Sequence, residues 1–248
     1  AVTARDPVLP HDGIVAFDAT LVRLDGLRAR LADGTVQFGG RMGLSGLTLA
    51  DYDLTLTGHD LRLRYPEGLR SLVEAALTVQ GPADAPVLGG SVLVRNAVWT
   101  PAFDGTTNVF GAATTTPLAA EAGPPVAGAA SAPAATPALR FDVRLVAPST
   151  FRIENDVARI VASADVTLRG TPEKPQVFGR ADIERGEVRF EGRRYVVSRG
   201  SLDFTNPDRI QPFFDVEADT RVRVPGQTYR VTLRIAGTTE RLQPEFTA

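Results

Sequence analysis

The sequence predicts an all-β chain of many strands, and three observations carry that reading. Apolar and polar residues alternate over long stretches, turn signals separate the alternating runs, and helical signals are scarce. Successive side chains of a strand point to opposite faces, so each run has one oily face and one wet face.

In chain order, the first clear run is Asp53-Leu54-Thr55-Leu56-Thr57, followed by Leu61-Arg62-Leu63-Arg64. Pro66-Glu67-Gly68-Leu69-Arg70-Ser71-Leu72-Val73 is a helical candidate of a turn or two, weakened by Gly68. Alternation resumes in Phe141-Asp142-Val143-Arg144-Leu145 and in Asp165-Val166-Thr167-Leu168-Arg169. It returns near the end, where Tyr229, Val231, Leu233 and Ile235 are interleaved with Arg230, Thr232, Arg234 and Ala236. Asp33-Gly34, Gly39-Gly40, Arg185-Gly186, Arg199-Gly200 and Pro225-Gly226 read as turns.

One segment breaks the pattern. Gly111 to Ala138 holds 28 residues, of which 12 are alanine and five are proline, with Glu121 the only charge. It has too little large apolar surface to offset the entropy of ordering, and reads as a disordered Ala/Pro-rich insertion. An internal repeat flanks it. Ala75-Ala76-Leu77-Thr78-Val79-Gln80-Gly81 leads into Pro86-Val87-Leu88-Gly89-Gly90, and Ala164-Asp165-Val166-Thr167-Leu168-Arg169-Gly170 leads into Pro175-Gln176-Val177-Phe178-Gly179. An offset of 89 places Leu77 on Val166, Gly81 on Gly170, Pro86 on Pro175, Gly90 on Gly179 and Val94 on Ile183. Two copies of strand, glycine, short proline loop and strand point to stacked, solenoid-like units. Without the insertion 220 residues remain. At roughly 10 residues per strand and turn they make about 22 strands, stacking to about 100 Å.

Composition excludes several function classes. The 248 residues carry 27 Lys+Arg against 29 Asp+Glu, a net charge of -2, so a nucleic-acid binder and a polybasic membrane-surface module are not expected. With no cysteine, disulfides, thiolate metal sites and cysteine nucleophiles are excluded, and His11 and His59 are the only histidines. Lys174 is the only lysine; the many arginines are dispersed and read as decoration of solvated strand faces. Neither a signal peptide nor a run of about 18 apolar residues is visible. The chain starts without Met and reads as a piece of something longer.

The residues from Pro175 onward carry a family resemblance. Pro175-Gln176-Val177-Phe178-Gly179, Ile183-Glu184-Arg185-Gly186-Glu187-Val188-Arg189-Phe190 and Gly200-Ser201-Leu202-Asp203-Phe204-Thr205-Asn206-Pro207 resemble the C-terminal region of TamB proteins. Ile210-Gln211-Pro212-Phe213-Phe214-Asp215-Val216-Glu217-Ala218, the run from Tyr229 to Gly237, and the earlier Tyr52 to Gly58 and Leu61 to Pro66 continue the likeness. The resemblance implies an AsmA-like envelope protein of a Gram-negative bacterium, with its parent anchored in the inner membrane and reaching across the periplasm. It further implies a long curled sheet with an apolar groove that carries phospholipids toward the outer membrane. A BamA-like outer-membrane barrel of the TamA type is the implied partner, and outer-membrane protein assembly the alternative role. On this reading residues 1–110 form a first groove segment, 111–138 the insertion and 139–248 the C-terminal TamB-like part.

An alternating strand needs its oily face covered. With helical cover nearly absent, the apolar faces meet one another in a closed β-sandwich, or line an open U-shaped groove. Periodicity admits both, and the resemblance favours the groove. Its lining is then Leu54, Leu56, Leu61, Leu63, Leu77, Val79, Val92, Val94, Phe141, Val143, Leu145, Val166, Leu168, Ile183, Val188, Phe190, Leu202, Phe204, Val216, Tyr229, Val231, Leu233 and Ile235. Tyr195, Phe213, Phe214 and Phe246 are expected to add apolar wall. Phospholipid acyl chains complete the core at about 0.8 kcal/mol per CH₂ buried. A structural or adhesive solenoid, whose inward positions pack shut, is the remaining alternative.

An enzyme is not expected. Asp51 with Asp53 and Glu154 with Asp156 are carboxylate pairs of the kind glycan chemistry uses, but charges on a solvated face explain them. Gly43-Leu44-Ser45-Gly46 lacks the spacing of a nucleophile elbow, and His59 sits in a turn-like Gly58-His59-Asp60. No phosphate-binding loop, dinucleotide fingerprint, cofactor site or metal cluster is legible.

Overall fold

The computed structural model describes residues 12–100 and 138–247, apart from Ala32, Leu47, Tyr65, Pro66, Glu191 and Thr239. The strands are β1 (Asp12–Asp18), β2 (Leu21–Leu31), β3 (Gly34–Ser45), β4 (Thr48–Leu63), β5 (Leu69–Pro82), β6 (Val87–Trp99), β7 (Arg140–Glu154), β8 (Ala158–Gly170), β9 (Pro175–Phe190), β10 (Arg193–Phe204), β11 (Pro212–Val224), β12 (Gln227–Thr238) and β13 (Arg241–Thr247). They form one sheet in sequential order. Every neighbouring pair is antiparallel except β6 and β7, which run parallel across residues 101–137. The expected insertion lies almost wholly outside the described residues.

Among the described residues the sheet has no second layer. Each strand's substantial contacts are with its own sheet neighbours, and β1 and β13 remain unpaired with one another. This decides between the two architectures that alternation left open: the sheet is open and elongated, not a sandwich. The segment Pro66–Val73 is not helical where described; β5 begins at Leu69.

The described residues form thirteen strands against the 22 expected for the chain without its insertion, and β4 and β9 each reach 16 residues. Twelve spacings then stack to about 60 Å. Misread turns contribute to the difference. Gly39-Gly40, Arg185-Gly186 and Arg199-Gly200 are not turns but positions inside β3, β9 and β10. Their glycines serve bulges and unusual backbone angles within strands, which period-two reading mistakes for strand ends.

The register slips at Leu24/Leu27 in β2, Gly58/Leu61 in β4, Val94/Asn96 in β6, Ala147/Phe151 in β7, Ile183/Arg185 in β9 and Val197/Arg199 in β10. A bulge adds one residue, bends the strand and steepens its twist. Here it also keeps the apolar side chains on one face when the alternation skips a step. In β6, Val92 and Val94 are followed by Ala97 and Trp99 on that face. In β10, Tyr195 and Val197 are followed by Gly200 and Leu202. Bulges of this kind recur in β2, β4, β6, β7, β9 and β10. The deepest burial follows them, through Leu61, Val73, Val94, Ala97 and Ala147 in one cluster and Val197, Val216, Ala218 and Leu233 in another. Alanines recur there because the bend leaves little room for larger side chains.

The offset of 89 has a structural meaning. In the β5–β6 hairpin Leu77 faces Gly90, Val73 faces Val94 and Leu69 faces Trp99. In the β8–β9 hairpin the pairs are Val166 with Gly179, Ala162 with Ile183 and Ala158 with Val188, each 89 residues on. Even the bulge is copied, with Arg95 and Glu184 as the extra residues.

Candidate functional site

Cross-strand partners share a face, so registers can be followed through the sheet. One row reads Val36, Gly58, Ala75, Val92, Leu145, Val166, Gly179, Phe204 and Pro212 from β3 to β11. A second reads Phe38, Leu56, Leu77, Gly90, Val143, Leu168 and Val177. A third passes through Leu69, Trp99, Ile153, Ile160, Gly186, Val197, Ala218, Leu233 and Phe246. The result is a continuous apolar face, concave because the bulges bend it. Among the described residues no polar or charged side chain is buried.

All of the predicted lining residues fall on this face, but they are not equivalent. Leu61, Val94, Val143, Val216 and Leu233 are buried along the bend, where they pack against protein. Leu63, Phe190 and Tyr229 are exposed, and the remainder are half-buried. Phe213 is a correction. It is 46% exposed on the outer face, while its neighbour Phe214 is 3% exposed on the inner one, as alternation demands. Sequence reasoning also passed over Val36, Phe38, Trp99, Ile153 and Ile160, whose runs are broken by bulges or glycines.

An aromatic pair spans the concave face. The rings of Phe190 in β9 and Phe246 in β13 lie 6.5 Å apart, although three strands separate them in the sheet. Curvature therefore narrows the concavity at this end. Phe246→Ala should widen it and increase hydrogen exchange at the ends of β9 and β13, with the β5–β6 hairpin unchanged. Uniform exchange in all three would refute a local role for the pair.

The outer face is wet and laced with ion pairs. Arg144 reaches Asp165 through Nε and Nη2 at 2.8 and 2.5 Å, and Arg180 reaches Asp203 at 2.6 and 2.9 Å. Arg199 and Arg234 converge on Asp215. The guanidinium hydrogen bonds hold the Asp165 and Asp203 carboxyls below the ordinary carboxylate range. The hydrogen bond from His59, with Arg95 nearby, does the same for Glu74. A carboxyl lowered in the folded state contributes stability that is present at neutral pH and lost as pH falls through its folded value. Thermal midpoints should therefore drop in acid. The Asp165→Asn/Asp203→Asn variant should show a flatter pH dependence, and an unchanged curve would dismiss these pairs as stabilising.

The residues considered for catalysis are dispersed. Asp53 binds Arg41 on the outer face, Glu154 ends β7, and His59 lies at the β4 bulge bonded to Glu74. Among the described residues no group of His, Asp and Glu has the arrangement of a metal site, and no helix is long and apolar enough to cross a membrane.

No curated protein sequence matches the chain. A family model described as the TamB C-terminal domain matches residues 25–248, taking in the concave face from β3 to β13. With that match over nearly its whole length, and with the open curled sheet, the chain belongs to the TamB family, that of the translocation and assembly module, and carries its C-terminal domain.

Proposed function

We propose that this chain is a periplasmic segment of a bridge carrying phospholipids between the inner and outer membranes of a Gram-negative bacterium. The observation that carries the proposal is the single-layer sheet, one of whose faces is continuously apolar and has no second layer over it among the described residues. Such a face in water is unfavourable by about 25 cal/mol per Å². Acyl chains satisfy it without polar contacts, so a lipid is retained by the walls yet slides along them. The parent chain is anchored in the inner membrane and meets a TamA-type barrel at the outer membrane. The role is non-enzymatic and needs no cofactor.

Native mass spectrometry with lipid extraction from the same sample tests this. Bound phospholipid that is depleted in a folded Leu168→Asp variant supports the reading. A lipid-free protein that also takes up no added phospholipid overturns it and favours a structural role, or a role in outer-membrane protein assembly.

A further inference from the structure

The two long edges of the concave sheet differ in chemistry. One edge is made by the ends of β2, β4, β7, β9 and β11 and the starts of the strands that follow them. The other holds the β3–β4, β5–β6, β8–β9 and β10–β11 turns. Toward the second edge most basic residues are neutralised: Arg41, Arg144, Arg169, Lys174, Arg180 and Arg209 each have an acidic partner, while Arg140 and Arg241 form no ion pair among the described residues. Toward the first edge, Arg28, Arg30, Arg62, Arg64, Arg70 and Arg152 form no ion pair among the described residues. The first edge also exposes apolar side chains on its concave side, at Leu31, Leu63, Phe190, Val224, Tyr229 and Phe246. It is an amphipathic lip, oily inside and cationic outside.

The cations are concentrated at one place. Arg62, Arg64 and Arg70 line a single concavity of about 670 Å³ at the ends of β4, β5 and β6, with Leu72 and Val98 as apolar wall and Asn96 as a further polar group. Arg62, Leu72 and Asn96 share one register row, on the face opposite the buried row of Leu61, Val73 and Val94. Leu63, also at the concavity, belongs to the apolar face of the same strand end. Three guanidinium groups held together without a carboxylate repel one another until an anion joins them. Their planar forks match phosphate oxygens in pairs.

We infer that this lip holds the phosphodiester of a phospholipid whose acyl chains lie in the groove, with Arg62, Arg64 and Arg70 as its first headgroup site. The inference rests on the lipid-carrying reading and adds to it an orientation: headgroups ride on one edge of the groove and not the other. Farther along the same edge, the Asn155 Nδ2 is buried without a partner between Arg159 and Arg189, beside Asp156 and Glu187. Glu187 is already engaged by Arg194.

Isothermal titration calorimetry supplies the readout. The intact chain is titrated, below micelle formation, with dihexanoyl phosphatidylglycerol, with dihexanoylglycerol, which lacks the phosphate, and with inorganic phosphate. The phospholipid should bind about tenfold tighter than the diacylglycerol, as expected for charge-assisted hydrogen bonds. The Arg62→Gln/Arg64→Gln/Arg70→Gln variant, altered only at exposed positions, should lose that preference and keep its diacylglycerol affinity. The paired-edge variant Arg144→Gln/Arg180→Gln should keep both. A preference that survives the triple substitution overturns the headgroup site. Inorganic phosphate binding as tightly as the phospholipid shows a free-anion site and overturns the lipid assignment. Failure of the diacylglycerol to bind speaks against the groove itself, and so separates the two readings.

Discussion

Leu233→Asp should unfold the C-terminal strands, whereas Leu168→Asp should leave the sheet standing and empty the groove of lipid. Both leucines lie on the concave face in alternating strands, and sequence alone gives no reason to treat them differently. Leu233 is 1% exposed, packed with Val197, Val216 and Ala218 at the bend. A carboxylate there has no partner and no water, a cost of several kcal/mol against a domain stability of about 5–15 kcal/mol. Because each strand contacts mainly its neighbours, the damage should stay local, as in other quasi-one-dimensional arrays. Leu168 is half-buried, between Val143 and Val177. Its replacement places the charge where an acyl chain is proposed to lie, not in packed protein. Limited proteolysis and lipid extraction on both variants distinguish the cases. If Leu233→Asp keeps β11 to β13 protected, the bend is not the core. If Leu168→Asp retains its lipid, the concave face is not the binding surface.

The second large effect concerns two adjacent glycines. Gly90→Ala should destabilise the chain by about 3 kcal/mol or more, while Gly89→Ala should change stability by less than about 1 kcal/mol. Gly90 has φ +115°, and a Cβ there would lie well under 3.0 Å from the carbonyl oxygen of Ala76 on the neighbouring strand. Backbone in a sheet has no room to move without breaking the ladder. A Cβ on Gly89 meets only Asp142 O at 3.5 Å and Thr78 Oγ1 at 3.6 Å, ordinary contacts. Gly179 repeats the Gly90 situation in the second hairpin copy, with φ +130° and the Asp165 carbonyl in the way. Gly179→Ala should therefore cost as much as Gly90→Ala. Denaturant melts of the three variants provide the comparison. Equal, small losses at all three positions would show that the close strand approach is not a constraint.

The proposed headgroup lip and the wet outer face also bear on how charge is used. Net charge is near zero, and the dispersed arginines read as surface decoration in the sequence. Folding sorts them: most toward one edge are tied to acids such as Asp165, Asp203, Asp142 and Asp53, while Arg62, Arg64 and Arg70 toward the other form no ion pair among the described residues. A composition cannot show that asymmetry, because pairing partners such as Arg180 and Asp203 are brought together by register and not by proximity in sequence.

What the sequence determined by itself was the secondary structure type, the apolar face and the repeat. Alternation is a local property, and a strand has only two sides, so Leu54 with Leu56, Val166 with Leu168 and Val231 with Leu233 had to share a face in any β fold. The offset of 89 was equally legible, since hairpins with the same register need the same residues at the same spacing. Tertiary structure alone decided the number of strands, the curl and the roles within the apolar set. A bulge costs one residue of alternation, and glycine pairs such as Arg185-Gly186 resemble turns, so a 16-residue bent strand reads as two short ones. Whether an apolar residue is core or exposed lining depends on where the bend falls. That bend is set by bulges aligned across many strands, as between Gly58 and Leu61 or Val197 and Arg199, and no single stretch of sequence contains it.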